Sequence, residues 1–199
     1  MKKSLLGLSL ATMLLVACGN DESKVEDTVA KEQQGIEVDK GLTNVELTLP
    51  AAFFEGSTPE EIEASAKEKG IKEVKINEDG SVYYKMSRSA HKEMLVNAEA
   101  GVVETIDELI NSEDFTSFKE ISYNKNFTEF DVKVDRQAYE NSFDGFGILG
   151  LAFGSMLYNA IEGADTSELK ITMAMIDATT DEQFDTVVWP DDLENVEGN

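Results

Sequence analysis

Leu42-Thr43-Asn44-Val45-Glu46-Leu47-Thr48-Leu49 sets apolar Val45, Leu47 and Leu49 against polar Asn44, Glu46 and Thr48, and Pro50 stops the run. A period of two sends the two sets to opposite faces, so this is a strand with one face in a core. Thr58-Pro59-Glu60-Glu61 follows and carries the parts of a helix start: a capping hydroxyl, proline at the first helical position and a glutamate that closes a capping box. Gly70 ends the segment, which predicts a helix over 59–69. Val74 and Ile76, an Asp79-Gly80 turn, then Val82, Tyr84 and Met86 read as a hairpin. Residues 42–87 are therefore expected to form a βαββ unit.

Working outward, Leu95, Ala98, Val102, Ile106, Leu109 and Ile110 fall at three- and four-residue spacing, so 89–110 reads as a long amphipathic helix. Phe118, Ile121 and Tyr123 suggest a further strand, and Asn124-Lys125-Asn126 turns the chain into Phe127-Thr128-Glu129-Phe130-Asp131-Val132-Lys133-Val134. This last stretch repeats the alternation of 42–49 without a gap. Phe54-Glu55-Gly56-Ser57 and Tyr139-Glu140-Asn141-Ser142 then fall at the same offset. A helical stretch and a second hairpin, residues 169–176 and 184–189 around Thr179-Thr180-Asp181-Glu182, complete another βαββ order over 127–189. Duplication explains this, and so does chance, because alternating apolar residues arise easily. Either way the expected class is α+β, a mainly antiparallel sheet packed with helices. One acidic domain over 36–190 is expected, with a frayed acidic tail over 191–199 after Pro190.

Charge narrows the partners. The chain has 17 basic and 40 acidic residues, a formal charge of −23. Such a field repels nucleic acid and anionic headgroups and favours cations, basic proteins and solubility. The single Cys and single His deny the chain a disulfide, a zinc site or a nucleophile with its usual base. No Gly-rich phosphate loop or nucleophile elbow follows Cys18. His91, beside Lys92 and Glu93, is expected on the surface.

The amino terminus gives an address. Lys2 and Lys3 precede an apolar run over 5–16 that is short for a membrane span, and Leu15-Val16-Ala17-Cys18 closes it with a small residue before the thiol. These residues resemble the lipobox of bacterial lipoproteins, whose cysteine accepts a diacylglycerol before the leader is cut away. The resemblance implies a signal peptide over 1–17 and a mature chain anchored to membrane lipid through acylated Cys18. Losing Lys2 and Lys3 moves the charge from −23 to −25. Residues 18–35, polar and without period, are expected to form a disordered tether with a reach of roughly 20 to 25 Å. Ala17-Cys18-Gly19-Asn20 and the acidic body are similar to envelope lipoproteins of Gram-positive bacteria. That similarity implies attachment to the extracytoplasmic face of the cell membrane, while Gly19 also permits outer-membrane sorting in a Gram-negative cell.

Two internal features carry functional readings. Residues 143–161 are nearly uncharged, with Phe146, Ile148, Leu149, Leu151, Phe153, Met156, Leu157 and Tyr158 threaded by Gly145, Gly147, Gly150 and Gly154. A buried central helix nestled on the sheet is the leading reading, with membrane contact or a lipid-binding groove as the alternatives. Asp177, Asp181, Glu182 and Asp185 around the last hairpin, and Glu78 with Asp79 at the first, offer oxygen ligands to calcium, although neither set matches an EF-hand loop. Solvated turns are the competing reading. Carboxylates are too plentiful to single out a glycosidase pair. The expected function is non-enzymatic, without a cofactor: an anchored acidic domain shown to an envelope protein or wall component. The alternative is a module for a small ligand, lipid or divalent cation, with Asp177, Asp181 and Asp185 as metal candidates.

Overall fold

The computed structural model describes residues 39–40 and 43–192. The signal peptide, Cys18, the tether and residues 193–199 of the tail lie outside the described residues. In chain order the elements are β1 (Asp39–Lys40), β2 (Asn44–Leu49), α1 (Pro59–Glu68), β3 (Glu73–Ile76), β4 (Val82–Ser87) and α2 (Arg88–Asn111). They continue with β5 (Phe118–Tyr123), β6 (Glu129–Val134), α3 (Arg136–Glu140), α4 (Gly147–Glu162), β7 (Ile171–Asp177) and β8 (Gln183–Trp189). Single 3-10 turns sit at Ala51–Phe54 and Asp144–Phe146.

The class is α+β, with two sheets where one was expected. The first has the order β1-β2-β4-β3 and the second β5-β6-β7-β8. Every pairing is antiparallel except that of β6 with β7, which is parallel. Both halves run strand, helix, strand, strand, yet they wind differently. After β2 and α1, the β3-β4 hairpin folds back so that β4 slots between β2 and β3. After β6 and α4, β7 lies directly beside β6 and the hairpin puts β8 at the edge. The first route gives antiparallel neighbours, and the second makes the parallel pair a helical crossover requires.

Each sheet has its own core. Val45, Leu47, Leu49, Val82, Tyr84 and Met86 of the first meet Ile62 and Ala66 of α1 and Ala160 and Ile161 at the end of α4. Phe130, Val132, Val134, Ile171, Met173 and Met175 of the second meet Ile148, Leu151 and Ala152 at the start of α4. Full burial of such a side chain contributes about 1.5–3 kcal/mol. Phe118 and Ile121 both reach this core although they are three apart, because a bulge between Phe118 and Glu120 shifts the register of β5.

α2 joins the two cores. Its early residues Ala90, Met94, Leu95 and Ala98 pack on the first, and Val102, Ile106 and Leu109 enter the second. α4 runs antiparallel to it. A Cβ placed on Gly154 would lie 3.5 Å from Val102 and one on Gly150 would lie 4.0 Å from Thr105, while one on Gly147 would collide with Leu109. The glycines expected to lie against the sheet therefore face α2, and they let the two helices approach closely. Tail residue Asp191 pairs with Lys170, and the Val188 amide donates to the Asp192 carboxylate at 2.6 Å. The fraying expected from Asp191 onward thus does not apply to these first two tail residues.

Candidate functional site

The turn ahead of α4 inverts the usual burial order. Asp144 is 6 % exposed, while Phe143 and Phe146 on either side of it are 83 % and 65 % exposed. The cause is a set of hydrogen bonds to the carboxylate. The Ser117 amide, at the head of β5, donates to Asp144 Oδ2 at 2.9 Å; separately, the backbone amide of Asp144 donates to Ser142 Oγ at 3.2 Å and pins the turn. Ser117 Oγ is buried without a well-aligned partner, yet it lies beside the carboxylate and favours its charged form. Burial pushes the Asp144 pKa up. The Ser117 hydroxyl and amide, the Ser142 hydroxyl and the Thr116 amide together outweigh it and hold the group below the ordinary carboxylate value. With the carboxylate drawn in, the tight turn that follows, closed by the Phe146 amide on the Phe143 carbonyl at 3.0 Å, leaves both aromatic rings outside.

A third phenylalanine extends this surface along α4. Phe146, Gly150 and Phe153 fall at spacings of four and three on one flank of the helix. Phe153 is 43 % exposed and its ring centroid lies 5.1 Å from that of Phe53, which packs on the core of the first sheet. Further along the same flank, Leu157, Ala160 and Ile161 turn into that core. The first sheet thus covers the C-terminal half of this flank and leaves the N-terminal half to solvent. The stripe Met94, Ala98, Gly101, Thr105, Glu108 does the same on α2: its early members pack on the first core and Gly101 meets open space. Glu104 and Glu108 are exposed beside it.

The residues singled out from the sequence fare differently. His91 is 6 % exposed, not on the surface. Its Nε2–H donates to the carbonyl of Ile161 at 2.9 Å, one of the last four carbonyls of α4, which have no partner inside the helix. It is a capping residue. Asp177 accepts the Thr179 amide at 2.7 Å in the hairpin turn, and Asp185 accepts the amide of its neighbour Thr186 at 2.8 Å within β8. Asp181 pairs with Lys133 at 2.8 Å, and that hydrogen bond, with the attraction of Asp181 and Glu120, holds the lysine pKa up. Asp79 accepts the Ser81 amide and hydroxyl at 3.0 and 2.6 Å. Among the described residues, no three His, Cys, Asp or Glu side chains come together to hold a metal ion.

A shallow, open depression of about 410 Å³ lies on the second sheet, bordered by Ser122, Asn124, Glu129, Asp131, Thr172 and Ala174. Asn124 is committed to the β5-β6 turn, donating to Thr128 Oγ1 at 2.9 Å and accepting the Thr128 amide at 2.9 Å. Among the described residues no helix is long and apolar enough to cross a membrane. No family model, curated protein or solved structure matches this chain.

The inverted turn went unseen in the sequence reading, which placed 143–161 in the core as a block. One signal was available: Asp144 interrupts two phenylalanines, and a carboxylate among aromatics asks which of them is inside. Its partner Ser117, 27 residues earlier, carries no mark in the sequence.

Proposed function

We propose that this chain is a lipid-anchored envelope protein, tethered through Cys18 to the extracytoplasmic face of the membrane, whose acidic α+β domain binds a protein partner. The observation that carries the binding role is the turn at 143–146, where a carboxylate is buried and two phenylalanines face water. A fold maximising its own stability would do the reverse, and local rules are broken at functional sites more than elsewhere. The anchor rests on Leu15-Val16-Ala17-Cys18. Polar groups in the described region that resemble site residues serve caps, turns and ion pairs, which supports binding over turnover. Replacing Cys18 with Ser tests the address: the variant should lose fatty-acid labelling and leave the membrane fraction. A variant that keeps both contradicts the anchor.

A further inference from the structure

We propose that the exposed flank of α4, with Phe143, Phe146 and Phe153, is the docking surface for a cationic amphipathic segment of a partner protein; this rests on the protein-partner reading above. The flank is apolar and structurally incomplete. On α4 the same line of residues is covered by the first sheet at Leu157, Ala160 and Ile161 and is bare at Phe146 and Phe153, with the Phe53–Phe153 contact marking where the cover ends. An element laid there would continue the packing that the first sheet supplies further along.

Charge selects what that element is. Residues 93–118, which hold the C-terminal part of α2, contain Glu93, Glu99, Glu104, Asp107, Glu108, Glu113 and Asp114 and no Lys, Arg or His. Residues 137–169, which hold all of α4, also lack every basic residue. The phenylalanines therefore sit in a mainly acidic field: Glu104 and Glu108 are exposed on α2, while Glu140 is paired with Arg136 at 2.7 Å. A second copy of this chain, at −23, is repelled by that field, as is an anionic bilayer. The polar stretch 19–38 is itself net acidic and gains nothing there. A helix with apolar residues at positions i, i+3, i+4 and i+7 and Lys or Arg on its flanks meets both demands: its apolar face covers the rings and its charges face the glutamates.

The test uses the chain in nanodiscs of zwitterionic lipid, with empty discs as the blank, and a fluorescent synthetic helix with Leu on one face and Lys on the other. The probe should bind at least about tenfold more tightly than the same composition scrambled, with affinity falling as salt rises. The double substitution Phe143→Ser with Phe146→Ser should erase that preference, while Tyr123→Ser, at an exposed aromatic of β5, should keep it. All these residues are exposed, so unchanged thermal melts will show that the variants fold. Equal binding by the double variant overturns the proposal. So does a finding that the phenylalanines govern self-association in sedimentation, or flotation with phosphatidylcholine or phosphatidylglycerol vesicles, in place of peptide binding. A photocrosslinker at position 146 and another at 123 in intact cells distinguish a partner bound at this surface from one bound elsewhere. Adducts at 123 alone leave a protein partner standing and remove this surface, and adducts at neither position remove the partner reading as well.

Discussion

Gly101 and Gly147 lie one on each helix of the central pair and should respond oppositely to a methyl group. A Cβ on Gly101 meets open space, so Gly101→Ala should stabilise the chain by about 0.5–1 kcal/mol through helix propensity alone. A Cβ on Gly147 collides with Leu109 and comes within 3.1 Å of Phe115, so Gly147→Ala should destabilise it by about 1–3 kcal/mol. Urea unfolding midpoints read both. His91→Ala should cost about 1–3 kcal/mol, because it leaves the Ile161 carbonyl buried and unpaired. Asp144 adds a pH dependence. Its folded pKa lies below the unfolded value of about 3.9, so its stabilisation is present above that value and is lost as pH falls through the folded one. Asp144→Asn should flatten that acid limb of stability against pH, and an unchanged limb would assign acid sensitivity to other carboxylates. The surface position expected for His91 was wrong, although 91, 95, 98 and 102 share one face of α2 and that period carried the signal for burial. The burial of Asp144 was not legible, because Ser117, whose amide holds the carboxylate inside, lies 27 residues earlier.

The elements themselves were largely legible, since their signals are local. Thr58 and Glu61 form the expected capping box, the Thr58 amide donating to Glu61 Oε2 at 2.8 Å and the Glu61 amide to Thr58 Oγ1 at 3.3 Å. Thr58→Ala should therefore cost about 0.5–2 kcal/mol, read as a fall in melting temperature. The long helix and both hairpins follow their apolar periods. What the periods did not carry is how the halves wind, since β2-α1-β3-β4 and β6-α4-β7-β8, the latter with the short α3 added after β6, share the order strand, helix, hairpin and differ in where the last strand inserts. Hydrophobic alternation fixes which face of a strand is inside, not which strand is its neighbour. The role of the glycines in α4 was likewise ambiguous, because small residues permit close approach to a sheet or to a helix, and here the neighbour is α2.

For the whole molecule, charge is the dominant physical fact. At −23 the folded chain repels itself, and screening should relieve part of that strain. Raising salt from about 0.01 to about 0.15 M shortens the screening length from about 30 to about 8 Å. The melting temperature should rise over that range, by roughly 2–4 °C for each kcal/mol relieved in a chain of this size; a fall would mean that the ion pairs outweigh the repulsion. On the proposed docking role, the same field would select cationic apolar segments at the exposed phenylalanines over like-charged ones. Such a surface would serve an envelope protein only if the domain is held where its partner is, and that depends on Cys18. The most direct measurement is mass spectrometry of the N-terminal peptide of the chain isolated from cell membranes. The anchored protein should begin at Cys18 and carry a diacylglycerol thioether; a chain that begins at any other residue with a free Cys18 thiol would mean that no anchor is attached there.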